Sequence, residues 1–201
     1  DWDLCEKLSL QALEISEEIK DLRNICHDSR VLGKIYSEKK SRNKQEEFCK
    51  KALEASEQLK DEGEQQIDHR NLGELCLSRG YKERSENHFK ASLDISLRNN
   101  NKKEIAIDYR NFGNLNFNNG NRADAEKFYR DALNLALEVG DKNGTAQDYT
   151  YIGNLKFKDG QIDEAEVNFD KAISYFKEAD NKASLLQMFL TVARMELMVT
   201  R

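Results

Sequence analysis

The chain has 201 residues, of which 34% are charged and 38% apolar, with no proline and a formal net charge of −5. A proline-free composition rich in Glu, Lys, Leu and Ala is typical of long helices. The acidic balance argues against non-specific nucleic-acid binding, which needs a basic surface. Because the sequence contains no long apolar run, we expect no transmembrane helix.

The sequence starts at Asp1 without an initiator Met or a signal-peptide pattern, and we expect it to be a fragment of a longer protein. Four cysteines form no C-x-x-C pair and lie near no histidine cluster, so we expect neither a metal site nor a cofactor. Free thiols packed as small hydrophobic groups favour a reducing compartment, and we expect a cytoplasmic protein. The cysteines are Cys5, Cys26, Cys49 and Cys76.

A repeat of 40 residues runs through the whole chain. It is marked by glycines at the same phase, by a column of small residues and by a column of glutamates. Self-similarity at a period of 20 to 50 residues is typical of a solenoid. The glycines are Gly33, Gly73, Gly113 and Gly153; the small residues are Ala12, Ala52, Ser92, Ala132 and Ala172; the glutamates are Glu6, Glu46, Glu86, Glu126 and Glu166.

Each repeat divides into two predicted helices, A and B. The A helices are expected near 22–39, 62–79, 102–119, 142–159 and 181–199, and the B helices near 3–20, 43–60, 83–100, 123–140 and 163–179. The predicted organisation is a single array over 1–201, with a first helix B at 1–20, repeats at 22–60, 62–100, 102–140 and 142–180, and a final helix A at 181–201.

Local signals support these boundaries. Gly80, Gly120 and Gly160 are expected to end three A helices in the left-handed conformation that closes a last turn. An Asp or Asn followed three residues later by Glu predicts capping boxes at the start of the B helices. These pairs are Asp3 with Glu6, Asn43 with Glu46, and Asp163 with Glu166.

The four glycines lie in the middle of the A helices, where each costs about 1 kcal/mol relative to Ala. Four in one phase indicate a close approach of a neighbouring helix, and the small-residue column supplies a matching shallow surface on the B helices. Antiparallel pairs stacked in this way predict an all-α fold, a right-handed superhelical solenoid of about ten helices. The last helix is apolar nearly all round, which indicates either further repeats in the parent protein, the preferred reading, or contact with another copy.

The pattern resembles the tetratricopeptide repeat (TPR), which places an aromatic, Leu-Gly, Ala and further aromatics at fixed positions. The third repeat carries it as Tyr109, Phe112-Gly113, Gly120, Ala125, Tyr129 and Ala132. The 40-residue unit resembles Pins-type scaffolds, and Rap regulators and kinesin light chains also use long repeats. The departures are the longer period, the missing proline, and Asn116 and Lys156 in place of an aromatic, for which Phe117 and Phe157 are the expected substitutes.

The resemblance implies that the A helices line a concave surface that binds an extended peptide. Five exposed columns are expected there, with six positive and two negative side chains, so an acidic partner is predicted. In this hypothesis Arg70 and Arg110 bind carboxylates, while Asn71, Asn111 and Asn114 bind the peptide backbone. The full set of expected partner-binding residues is Arg30, Lys34, Arg70, Asn71, Glu74, Arg110, Asn111, Asn114, Phe117, Tyr151, Asn154 and Phe157.

An alternative stays open for the arginines. Asp28, Asp68, Asp108 and Asp148 form a column two residues before them, and an Asp of one repeat pairing with an Arg of the next would make a ladder of exposed ion pairs without any ligand. For Phe117 and Phe157, packing in the core is favoured over a role as hydrophobic anchors.

No catalytic motif is present in the sequence, and its carboxylates lie at i,i+4 spacing with Lys and Arg, as on an ordinary solvated helix. We therefore expect a non-catalytic scaffold or adaptor that binds a protein or peptide, with no nucleic-acid or membrane partner. The alternatives are a structural or self-assembling array through its terminal helices, and a peptide-sensing regulatory module of a larger signalling protein.

Overall fold

The computed structural model describes residues 2–199 and contains α-helices joined by short turns. Their order is α1 (Trp2–Glu18), α2 (Leu22–Glu38), α3 (Arg42–Leu59), α4 (Glu62–Ser78), α5 (Lys82–Arg98), α6 (Lys102–Asn118), α7 (Arg122–Val139), α8 (Lys142–Lys158), α9 (Ile162–Glu178) and α10 (Lys182–Val199). The predicted helices are confirmed: α1, α3, α5, α7 and α9 are the B helices, and α2, α4, α6, α8 and α10 are the A helices. The all-α repeat class is also confirmed. Residues 1, 200 and 201, with which the predicted terminal helices begin and end, lie outside the described residues.

The chain divides into two compact units, 1–95 and 96–201. In the first unit α1, α2, α3 and α4 pack consecutively, and in the second the same holds from α6 to α10. Gly80, Gly120 and Gly160 have φ values of 77°, 83° and 76°. The prediction that these glycines end three A helices in the left-handed region is therefore confirmed.

The predicted capping boxes are wrong. Asn43 and Asp163 lie inside the first turns of α3 and α9, whose N-cap residues are Ser41 and Gln161 without a side-chain cap. Side-chain capping occurs at the A helices instead, because the turn before each of them ends in an Asp or Asn that accepts from the free backbone N–H groups. These caps are Asp21, Asp61, Asn101 and Asp141.

Three glutamates of the column, Glu6, Glu46 and Glu126, join their B helix to a following helix or turn. Glu6 accepts a hydrogen bond from the hydroxyl of Tyr36 at 2.6 Å. Glu126 contacts Lys156 at 3.2 Å. Glu46 binds Arg79, and it also accepts from Arg84 at 2.9 Å. These three glutamates therefore stabilise helix packing rather than helix starts.

Glu46 gives this network a pH dependence. Hydrogen bonds from Arg84 and then Lys50 lower the pKa of Glu46 to about 2. A carboxylate with a lowered pKa stabilises the folded state fully above its ordinary pKa, and this contribution is lost as the pH falls through the folded value. We expect Glu46→Gln to cost about 2 kcal/mol at pH 7, and the difference from wild type to shrink progressively below pH 4.5.

Urea unfolding followed by far-UV circular dichroism at several pH values measures this effect. Glu54→Gln is the matched control, because Glu54 lies exposed on the same helix. A cost that stays constant as the pH falls would contradict the assigned role of the Glu46 charge.

Three of the four mid-helix glycines contact aromatic rings rather than the small-residue column. A Cβ atom at Gly73 would lie 2.4 Å from the ring of Phe89, at Gly113 2.3 Å from that of Tyr129, and at Gly153 2.5 Å from that of Phe169. The prediction that the small-residue column packs against these glycines is therefore wrong, although a neighbouring helix does approach each of them closely. The small residues after Ala12 are fully buried elsewhere in the core, as for Ala52 in a cluster with Cys26.

Candidate functional site

A cavity of about 330 Å³ lies in the first unit, between α2, α3 and α4. Four of the predicted partner-binding residues lie in its wall: Arg30, Lys34, Asn71 and Glu74. Its other lining residues were not predicted as binding positions from the sequence; they are Gly33, Ser37, Gln45, Cys49, Asp68, Leu75 and Ser78. The cavity lies beside two successive A helices, α2 and α4, which Arg30 and Asp68 join.

Arg30 is held on one wall of this cavity by acidic groups of α4. Its Nε lies 2.5 Å from one carboxylate oxygen of Asp68, and Nη2 donates to the other at 2.8 Å. It also forms an ion pair with Glu64 and donates to the backbone carbonyl of that residue. Asp68 is almost completely buried, so the guanidinium compensates a charge that would otherwise be costly.

Arg110 makes the same type of pair in the second unit. Its Nε lies 2.6 Å from Oδ1 of Asp148, and Nη1 donates to Gln147 at 3.1 Å. Asp148 is fully buried and Arg110 is 7% exposed. Burial raises the pKa of Asp148 to about 7, while the neighbouring Arg110 opposes the rise.

These two pairs show which aspartates the arginines of the column bind. In both units an Arg of one repeat binds the Asp of the next repeat, 38 residues later, whereas the sequence analysis considered an Asp bound by the Arg of the next. The pair of Arg110 with Asp148 is buried; in the pair of Arg30 with Asp68 the carboxylate is buried and Arg30 is half-buried. Arg70, Arg110 and Asn111 are each less than a tenth exposed, so the prediction that they are open surface positions is wrong.

Lys34 and Glu74 differ from the arginines because both are exposed. Lys34 forms no ion pair among residues 2–199. Desolvation raises the pKa of Glu74 above its ordinary value, and the nearby charge of Arg70 opposes this rise. Two positive and two negative side chains line the cavity, and its charge is therefore balanced.

The asparagines have different environments. Asn71 lines the cavity and is half-buried. Asn114 accepts a hydrogen bond at 2.7 Å from the hydroxyl of Tyr129, so its carbonyl is already used within the second unit. The Nδ2 of Asn111 is buried and has no hydrogen-bond partner among the described residues. Asn154 is half-buried on α8.

The predicted aromatic anchors are half-buried in the second unit. Phe117 and Tyr151 pack on a cluster that contains Tyr129 and Ile152, and Phe157 packs on the cluster around Phe169. The ring of Tyr151 stacks on that of Tyr129 with centroids 5.1 Å apart. These contacts agree with core packing, the alternative favoured for the two phenylalanines.

No group of three or more His, Cys, Asp or Glu side chains between residues 2 and 199 is arranged to hold a metal ion. In the same range, no helix has the length and apolar character that crossing a membrane requires. Repeated helix pairs of this kind define the class of helical-repeat proteins.

Within this class the family is clear from the sequence. The tetratricopeptide repeat family matches residues 104–179, and a second model of that repeat matches residues 31–59. The chain is a tetratricopeptide repeat protein. None of the curated proteins compared with it matches in sequence.

Solved structures share the fold at low sequence identity. BtubC (BKLC) from P. vanneervenii is 17% identical with a TM-score of 0.78, over 96% of this chain and 82% of that one. A Rap protein complexed with Competence and Sporulation Factor is 15% identical with a TM-score of 0.76, over 99% and 61%. The Rap conjugation gene regulator of plasmid pLS20, in complex with the Phr* peptide, is 16% identical with a TM-score of 0.65, over 86% and 53%. The chain thus spans less than two thirds of either Rap structure.

Proposed function

We propose that this chain is a non-catalytic scaffold that binds an extended peptide segment of a partner protein on the surface formed by its A helices. The observation that carries the proposal is the open cavity of the first unit, in which Lys34, Asn71 and Glu74 present polar groups. An extended peptide has unpaired backbone groups, and an Asn amide both donates to and accepts from such groups. Two of the similar structures are complexes with a factor or a peptide, which supports the same use of this fold.

The acidic character of the partner is a separate part of the proposal. Arg30 and Arg110 already pair with carboxylates of their own chain. They are therefore less available to bind an acidic ligand than the predicted excess of positive side chains implies. Lys34 is the exposed cation of the cavity, and a partner carboxylate near it would form a pair that salt weakens. The acidic preference therefore depends on Lys34.

The test is a displayed library of random peptides, selected on the chain and followed by affinity measurements on the selected sequences. We expect Lys34→Ala and Asn71→Ala each to weaken binding about threefold to tenfold, the value of one hydrogen bond of about 1 kcal/mol. Lys7→Ala is the matched control, because Lys7 lies exposed on α1 away from the cavity. Raising the salt concentration should weaken wild type and leave Lys34→Ala less affected.

Selected peptides that bind both variants as tightly as wild type would contradict the cavity as the binding site. Equal affinity for acidic peptides and their amide counterparts would contradict the acidic preference alone. Circular dichroism of every variant separates loss of binding from loss of fold.

Self-association is a second candidate function, because α10 carries exposed apolar side chains, among them Leu186, Phe189 and Leu197. An apolar surface of this kind is typical of protein contacts. A mass in solution that rises with concentration would favour it over the monomeric scaffold. A cytoplasmic location and a role as a sensing module of a larger signalling protein remain compatible proposals.

A further inference from the structure

One position in the repeat explains why the cavity of the first unit exists. In three repeats a B-helix aromatic ring covers the mid-helix glycine of the preceding A helix, as described for Phe89, Tyr129 and Phe169. The corresponding residue of the first repeat is Cys49, whose Sγ would lie 3.3 Å from a Cβ atom at Gly33. A small thiol therefore takes the place of a ring, and both Gly33 and Cys49 line the cavity.

The second unit shows what a ring at this position contacts. Tyr129 stacks on Tyr151 and donates its hydroxyl hydrogen to Asn114. Shifted back by two repeats, the positions of Tyr151 and Asn114 are those of Asn71 and Lys34. Both of these residues line the cavity as well. The cavity is thus bounded by the same positions that surround the Tyr129 ring.

We propose that the cavity is a slot for one aromatic side chain, Tyr or Phe, of the bound peptide segment, whose ring takes the position that the chain's own ring holds in the other repeats. The slot deepens the proposed peptide-binding function and rests on it. Gly33 leaves the α2 backbone open to a flat ring, as its counterparts do, and Leu75 provides an apolar wall. Lys34 is placed to donate to a phenol oxygen, as Asn114 accepts from one in the second unit.

The charge of the slot favours a neutral ring over an ion. A carboxylate guest would meet Asp68 and Glu74, and an ammonium guest would meet Arg30 and Lys34. Because both signs line the slot, neither ion is favoured inside it, whereas an uncharged ring loses little and gains apolar contact. The partner carboxylate proposed to pair with Lys34 therefore belongs to a different side chain of the peptide, outside the slot.

The probe for this slot is p-cresol, the side-chain analogue of tyrosine, titrated into the isotope-labelled chain and followed by NMR. We expect saturable shifts of the amide signals around Gly33 and Leu75 in wild type. Cys49→Phe should weaken binding of p-cresol by at least tenfold, because its own ring fills the slot. Cys49→Ala, which widens the slot, should bind p-cresol at least as well as wild type, and cyclohexanol, which is not flat, should bind more weakly.

The proposal is overturned if wild type and Cys49→Phe bind p-cresol alike, if wild type does not bind it, or if Cys49→Phe does not fold, since a ring would then not fit. Affinity measurements on the selected peptides test the aromatic slot independently of the proposed scaffold function. Peptides that depend on Lys34 and Asn71 but tolerate Cys49→Phe would overturn the slot and leave the scaffold function standing. Binding of p-cresol that Cys49→Phe blocks, in a chain that binds no peptide, would support the slot and overturn the function.

Discussion

Gly113→Ala is expected to destabilise the second unit by about 2–3 kcal/mol. The added Cβ would lie 2.3 Å from the ring of Tyr129, far inside a van der Waals contact. The ring cannot move aside easily, because it is stacked on Tyr151 and its hydroxyl is bound to Asn114. The gain in helix propensity, about 1 kcal/mol, offsets only part of the strain. Urea unfolding followed by circular dichroism measures the change.

Gly33→Ala is the matched control for this substitution. It has the same place in its repeat, but its Cβ would meet no ring: the nearest atom is the Sγ of Cys49, at 3.3 Å, which lies beside an open cavity, and the next is the backbone oxygen of Gln45 at 4.0 Å. We expect it to be neutral or to stabilise by up to about 1 kcal/mol. In a Tyr129→Cys background, Gly113→Ala should lose most of its cost, because contacting residues are not additive. Equal costs at Gly33 and Gly113 would show that the ring contact is not the cause.

The glycine column illustrates what the sequence predicts well. Four glycines at one phase of a 40-residue repeat identify a close approach in the middle of each A helix, and the structure contains it at Gly73, Gly113 and Gly153. The contacting group was assigned wrongly, because a small residue on a facing helix and a large ring that reaches over the glycine satisfy the same spacing. Only the rotation of α7 about its own axis, which tertiary packing determines, places Tyr129 over Gly113.

The arginine column illustrates what the sequence leaves open. The spacing placed Arg30 and Arg110 in A helices, where both residues lie, but it did not predict that Arg110 is buried and Arg30 half-buried. A cation is buried only when a carboxylate lies within reach, and the register between successive repeats decides whether the Asp column is that close. The sequence itself shows a cysteine, Cys49, at the repeat position that is aromatic in Phe89, Tyr129 and Phe169. The cavity beside Cys49, which only the structure contains, gives this difference a consequence.

Arg110→Ala carries the largest expected cost. The substitution removes a buried side chain and leaves Asp148 without its counter-charge, and breaking one side of a buried pair typically costs about 3–5 kcal/mol. The double substitution Arg70→Ala, Arg110→Ala is therefore a poor test of peptide binding, because loss of Arg110 alone is expected to unfold part of the second unit. Urea unfolding across a pH series checks the cost. Arg130→Ala is the control, since the exposed pair of Arg130 with Glu126 contributes about 1 kcal/mol or less.

The pH series tests the mechanism of that cost. Burial raises the pKa of Asp148 to about 7 even with Arg110 present, and removal of Arg110 raises the pKa further. At pH 5 the carboxyl is then protonated in both proteins, and the variant lacks only packing and hydrogen bonds. Above pH 7 wild type holds a carboxylate beside a guanidinium, whereas the variant must keep a proton that the unfolded chain releases. The cost of Arg110→Ala should therefore grow as the pH rises from 5 to 9. A cost below about 1 kcal/mol at every pH, no larger than that of an exposed pair, would mean that Arg110 is not needed by the fold and is available to a partner's carboxylate.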